Sequence, residues 1–109
     1  PLEADLVFDV RFMPNPFYID AMREKTGLDR EVRDYVFSFQ ETEQFMEKLR
    51  ELLGFVLPLY REEGKTVLVV AVGCTGGRHR SVAVTHALAG YVTSLGYQVT
   101  ENHRDMMRT

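Results

Sequence analysis

The sequence is poor in the residues that would commit it to several large classes of protein. It holds one cysteine in 109 residues, so no internal disulfide can form, and neither a secreted disulfide scaffold nor a cysteine-rich zinc site is supported. Tryptophan is absent. No apolar run approaches the roughly 18 residues needed to cross a bilayer, so no membrane association is expected. The opening residues Pro1-Leu2-Glu3-Ala4-Asp5 are acidic rather than basic, unlike the start of a secretory signal peptide. These absences point to a cytoplasmic chain with one domain over residues 1–109. Because the first residue is proline and not methionine, the chain is expected to be a piece of something longer.

Charge is unevenly spread. The net formal charge of −3 would argue against nucleic acid if it were uniform. Residues 1–72 instead carry 9 basic and 14 acidic side chains, whereas residues 73–109 carry Arg78, Arg80, Arg104 and Arg108 against only Glu101 and Asp105. Either the C-terminal third is a cationic surface or four scattered arginines are unremarkable. Composition leaves both readings open.

Hydrophobic patterning divides the chain into few elements, with no repeat or linker. Leu6–Phe12 reads as a first strand, with Val7, Asp9 and Arg11 on one face and Leu6, Phe8, Val10 and Phe12 on the other. Pro14-Asn15-Pro16 stops it. Residues 20–37 read as short helices broken at Thr26-Gly27-Leu28-Asp29. Ser38 and Glu41 have capping-box spacing, and Phe45, Met46, Leu49, Leu52, Leu53, Val56, Leu57 and Tyr60 then form one helical stripe. Pro58 predicts a bend and Gly64 an end. Thr66–Val72, apolar on both faces, predicts a central parallel strand covered on each side. A helix follows from about Arg80 to Leu95, with Gly96 at its end, then a short strand over Tyr97–Thr100 and a polar tail over 101–109. The expected fold is α/β, a small parallel or mixed sheet with helices packed on it. Its ligand edge lies beyond the carboxyl ends of the strands, at a strand–loop–helix anion site.

That site is Gly73-Cys74-Thr75-Gly76-Gly77-Arg78-His79-Arg80-Ser81. A strand that turns through glycines into a helix gathers unpaired backbone N–H groups at the positive end of a helix dipole. Gly76 and Gly77 let the backbone fold closely around an oxyanion, Thr75 and Ser81 offer hydroxyls, and Arg78, His79 and Arg80 offer cationic donors. A phosphate suits such a loop, and Arg80 is placed to grip it. A tight structural turn with exposed arginines is the plainer reading. The loop has no Gly-Lys-Ser/Thr ending, so ATP or GTP binding of the Walker type is not predicted there.

Cys74, five residues and then Arg80-Ser81 resemble the Cys-x5-Arg-Ser/Thr loop of cysteine-dependent phosphatases. Gly73 stands where those enzymes usually carry histidine, and Cys74 as a small residue closing the strand is the alternative. Asp9 and Arg11 are the other polar residues out of place, either paired with each other or touching a polar ligand. His103 and Arg104 either contact RNA or belong to a solvated tail, and His86 reads as structural.

Together, Phe8–Pro16, Thr26–Asp29, the 73–81 loop and His103-Arg104 closely resemble the C-terminal domain of the RapZ family. These are RNase adapter proteins, also known as YvcJ-type nucleotide-binding proteins. The resemblance implies an N-terminal P-loop domain binding ATP or GTP, absent here, and no cofactor in this domain. It implies a non-enzymatic regulatory domain that senses glucosamine-6-phosphate or another phosphorylated sugar. It also implies binding of small regulatory RNA, presentation to an RNase E-type nuclease, and homo-oligomers. The implied phosphosugar pocket is Asp9, Arg11, Cys74, Thr75, Gly76, Gly77, His79, Arg80 and Ser81, with RNA contacts from Arg78, His103, Arg104 and Arg108. Phe17-Tyr18 departs from the His-aromatic pair of enterobacterial members, and the tail Asp105–Thr109 is less basic than theirs.

Overall fold

The computed structural model describes residues 4–74 and 77–103. Its elements run β1 (Leu6–Asp9), a 3₁₀ turn (Pro16–Tyr18), α1 (Arg30–Phe37), α2 (Gln40–Glu62), β2 (Val70–Gly73) and α3 (Arg80–Ser94). Three helices and a two-stranded parallel sheet make this an α/β fold.

The strands pair Leu6 with Val70, Val7 with Ala71, Phe8 with Val72 and Asp9 with Gly73. Pairing starts where Asp5 Oδ2 accepts from Val69 N–H at 2.8 Å, and it ends where Val10 N–H donates to the Gly73 carbonyl at 2.8 Å. The expected strand Leu6–Phe12 ends at Asp9, and its alternation holds only as far as Arg11, because Phe12, expected on the inner face, is 53% exposed. Leu6 and Phe8 turn toward the helices, Val10 is fully buried, and Val7, Asp9 and Arg11 face solvent.

The core is built by Val10 and Met13 after β1, Val32 and Val36 of α1, Met46, Leu49, Leu53 and Leu57 of α2, and Val84 and Leu88 of α3. Their spacing on α2, four, three and four residues, keeps them on one line of the helix. Each contributes about 2 kcal/mol by burial. The buried stripe is narrower than the apolar pattern suggests, since Leu52 stays 41% exposed and Phe45 and Val56 pack at its margin. Gly64 and Gly96, each with φ +94°, follow the ends of α2 and α3.

Several expected elements come out differently. Ser38 does not open α2: its hydroxyl donates to the Tyr35 carbonyl at 2.7 Å, closing α1 instead. The cap position of α2 is Phe39, extended and without a side-chain bond, and its carbonyl receives the N–H groups of Thr42 and Glu43. α2 continues past Pro58 to Glu62 as one helix. Only the stretch from Arg30 to Phe37 of residues 20–37 is α-helical. The preceding residues turn through Thr26–Asp29, where Asp29 Oδ2 accepts from Thr26 N–H at 2.8 Å.

The second strand is shorter than Thr66–Val72 and is not sandwiched. Val67 is 67% exposed, and β2 has β1 as its one neighbour among the described residues. Tyr97–Thr100 forms no strand. After Gly96 the chain folds back on α3, and the Tyr97 ring lies 4.3 Å from the Arg61 guanidinium of α2. A cation over a ring face takes the place that a ladder partner would have had.

Candidate functional site

Parallel pairing brings the carboxyl ends of β1 and β2 to the same edge, where Asp9 faces Gly73. β2 then leads through Cys74 toward α3, whose first turn begins at Arg80. An open cleft of about 490 Å³ lies at this edge, lined by Val7, Phe8, Asp9, Arg11, Gly73 and Cys74. Residues distant in sequence, Asp9 and Arg11 from the first strand and Cys74 from the loop, thus share one wall.

Asp9 and Arg11 meet each other first. Arg11 Nε donates to Asp9 Oδ2 at 2.8 Å, and the Arg11 backbone N–H donates to Oδ1 at 3.0 Å. That backbone bond chiefly holds the Asp9 carboxyl below its ordinary range, against opposing desolvation. The Arg11 guanidinium and the charge of Arg80 add to it. Asp9 is therefore a carboxylate at neutral pH, and both side chains are exposed enough to exchange partners. Cys74 Sγ, half-buried, accepts from the Ser81 backbone N–H at 3.2 Å. The thiol thereby occupies one of the free donors at the start of α3.

The three basic side chains of the loop turn inward. Arg78 donates from Nε to the Lys25 carbonyl at 3.2 Å and from Nη2 to the Glu24 carbonyl at 2.6 Å. His79, 5% exposed, donates from Nε2 to the Met22 carbonyl at 3.1 Å. Burial lowers its pKa, and the Arg78 charge lowers it further, against the opposing hydrogen bonds to backbone carbonyls. Arg80, 4% exposed, donates from Nη1 to the carbonyls of Arg11 at 2.6 Å and Met13 at 3.1 Å, while its Nε has no partner among the described residues. The physical reason lies in residues 11–13 and 22–25, irregular segments whose carbonyls need donors from elsewhere.

Ser81 is buried behind Cys74, and Gly77 has φ +62°, a left-handed backbone that glycine adopts without strain. Thr75 and Gly76 lie outside the described residues, as do Arg104 and Arg108. His103 is held elsewhere, against Glu101. Of the residues expected to bind, Asp9, Arg11 and Cys74 line the cleft, Arg80 and Ser81 support it, and Arg78 and His79 fasten the loop to the 22–25 turn.

One residue of the site escapes a reading based on chemistry-bearing side chains. Gly27 lies against the first turn of α3, its N–H donating to the Arg78 carbonyl at 3.0 Å. A Cβ there would fall 2.3 Å from Ala83 N and 2.4 Å from the His79 carbonyl oxygen. The signal available was the Thr-Gly-Leu-Asp turn itself, whose glycine serves close approach rather than a bend.

The arrangement defines a small α/β domain with an open cleft where two parallel strands meet a helix start. The family model of the RapZ C-terminal domain matches residues 1–107, and the chain belongs to that family. Proteins named nucleotide-binding protein are similar to it. One from Acetivibrio thermocellus is 58% identical over 97% of this chain and 36% of its own length. Another from Geobacillus thermodenitrificans is 57% identical over 99% of this chain and 36% of its own. A third, from Listeria monocytogenes, is 57% identical over 99% of this chain and 37% of its own. The chain thus spans just over a third of the length of these relatives. Among the described residues, no helix is long and apolar enough to cross a membrane, and no group of His, Cys, Asp and Glu could hold a metal ion.

The loop is not of the Walker type, because Cys74 through Ser81 lack its Gly-Lys-Ser/Thr ending.

Proposed function

We propose that this domain is a non-catalytic binding module that holds a phosphorylated small molecule, an amino-sugar phosphate such as glucosamine-6-phosphate. In this reading, occupancy regulates the binding of small RNA, and of an RNase E-type partner, by a longer cytoplasmic protein. Nucleotide binding then belongs to an N-terminal P-loop domain, outside this chain. The observation that carries the reading is the convergence of Asp9, Arg11 and Cys74 on one cleft beside the start of α3. Arg11 supplies a forked donor for a phosphate, Asp9 an acceptor for an ammonium or hydroxyl, and the loop its backbone N–H groups. Association with a second copy is supported by Phe55 and Leu59, 68% and 48% exposed on the outer side of α2.

Isothermal calorimetry with glucosamine-6-phosphate tests this. Arg11→Ala is expected to weaken binding at least ~10-fold, the worth of a charge-assisted bond pair. Unchanged affinity would remove Arg11 from the site.

The second reading, a cysteine-dependent phosphatase, draws on the place of Cys74 Sγ at the start of α3, where it accepts from the Ser81 N–H. It is the weaker one. Arg80 is engaged with the carbonyls of Arg11 and Met13, and Asp9, the acid at hand, is already ionised. Turnover of p-nitrophenyl phosphate that disappears in Cys74→Ser would reinstate it.

A further inference from the structure

The long helix α2 carries two apolar lines, and the fold buries one of them. Met46, Leu49, Leu53 and Leu57 lie in the core. Leu52, Phe55 and Leu59 lie roughly 145° away around the helix, at 3.6 residues per turn. They stay 41%, 68% and 48% exposed, so the described residues leave this outer line uncovered.

The outer line extends beyond its apolar part. Lys48 precedes Leu52 and Glu62 follows Leu59, both exposed, so the five residues recur at spacings of four, three, four and three. That is the 3.5-residue period of a seam between two packed helices. Neither Lys48 nor Glu62 enters an ion pair among the described residues. A cation thus stands at one end of the seam and an anion at the other. Each is seven residues from Phe55, about 10 Å along the axis.

We propose that this outer face of α2 packs against the same face of a second copy, the two helices antiparallel about a twofold axis at Phe55. A twofold interface must fit itself. In the antiparallel register Phe55 lies on Phe55 of the second copy, and Leu52 meets Leu59. The Lys48 ammonium meets the Glu62 carboxylate, once at each end. A parallel register would set Lys48 on Lys48 and Glu62 on Glu62, and like charges repel. The charge pattern is its own complement in the antiparallel register, which singles out a second copy as the occupant.

The aromatic ring at the centre anchors such a contact, while the charges at its ends choose the register more than they add affinity. The seam is about four turns long, ~21 Å, at the small end of specific interfaces. A concentration-dependent equilibrium is therefore expected rather than a permanent dimer. This register rests on the association proposed above from Phe55 and Leu59.

Sedimentation equilibrium of the chain, from micromolar to near-millimolar concentration and without phosphosugar, tests the interface. A reversible monomer–dimer equilibrium is expected, weakened at least ~10-fold by Phe55→Asp. Lys48→Glu and Glu62→Lys are each expected to weaken it ~3- to 10-fold, because each sets like charges together at both ends. Their equimolar mixture restores opposite charges at both ends and is expected to recover the parent affinity. All three positions are exposed, so each variant is expected to keep the parent melting temperature. A chain that stays monomeric throughout would overturn the interface together with the association it rests on. A dimer indifferent to Phe55→Asp would overturn this face. A dimer that Phe55→Asp breaks and neither charge variant weakens would overturn the antiparallel register while leaving the association in place.

Discussion

Gly27→Ala is expected to destabilise the domain by about 3 kcal/mol, lowering the melting temperature by on the order of 10 °C or more. The added Cβ would meet Ala83 N at 2.3 Å, the His79 carbonyl oxygen at 2.4 Å and the Val82 carbonyl carbon at 2.9 Å. All three are backbone atoms of the first turn of α3, so no side chain can rotate away. The 26–29 turn must lift off instead. Lifting it stretches the bond from Gly27 N–H to the Arg78 carbonyl and strains those of Arg78 and His79 to residues 22–25. A single methyl group thus reaches the loop that carries the candidate site. Urea denaturation measures the cost, and a change below ~0.5 kcal/mol would show that the turn yields freely. Gly90→Ala supplies the control. A Cβ at Gly90, in the body of α3, meets nothing within 4 Å, and alanine there is expected to add about 0.5–1 kcal/mol by helix propensity.

Much of this framework was legible in the residues because it rests on local periodicity. α3 begins and ends where its pattern indicates, the inner line of α2 appears in its spacing, and the two faces of β1 follow from alternation. The misreadings share a cause, which is a polar or apolar group whose partner is remote or ambiguous. Ser38 has two helix ends within reach, and sequence spacing does not say that it bonds backward to Tyr35. Tyr97–Thr100 has strand-like composition, but its ring finds Arg61 and Glu101 finds His86, which fastens the segment to helices.

The loop shows the same limit at the site itself. Its density of cations was evident, and its position at the strand ends followed from topology. The carbonyls of residues 11, 13, 22, 24 and 25 that draw those cations inward were not, because an unpaired carbonyl leaves no mark in a sequence. Gly27 belongs with them, a residue whose role is the absence of a side chain beside another segment's backbone.

Arg80→Met tests how far this buried scaffolding governs the cleft. Methionine approximates the volume but removes the bonds from Nη1 to the Arg11 and Met13 carbonyls, leaving both without that donor. A loss of about 2–4 kcal/mol is expected, and Arg80→Lys is expected to recover less than half, because a single ammonium does not reproduce the guanidinium fork. The same change also alters Asp9. Arg80 is one of the charges that lower the Asp9 pKa, and it fixes the carbonyl of Arg11, whose N–H is the main cause of that lowering.

Asp9 in the variant is therefore expected to titrate nearer the ordinary carboxylate range, as followed by its side-chain carbon resonance. The depressed carboxylate contributes to stability above its unfolded pKa and loses that contribution as pH falls through its folded one. In Arg80→Met, the pH-dependent contribution of Asp9 is consequently smaller, and it is used up at a higher pH than in the parent. If phosphosugar affinity falls together with the Asp9 shift, Arg80 acts by positioning the 9–13 turn. If affinity collapses while Asp9 titrates as before, the guanidinium itself contacts the ligand, and the inward bonds seen here must exchange when the ligand binds.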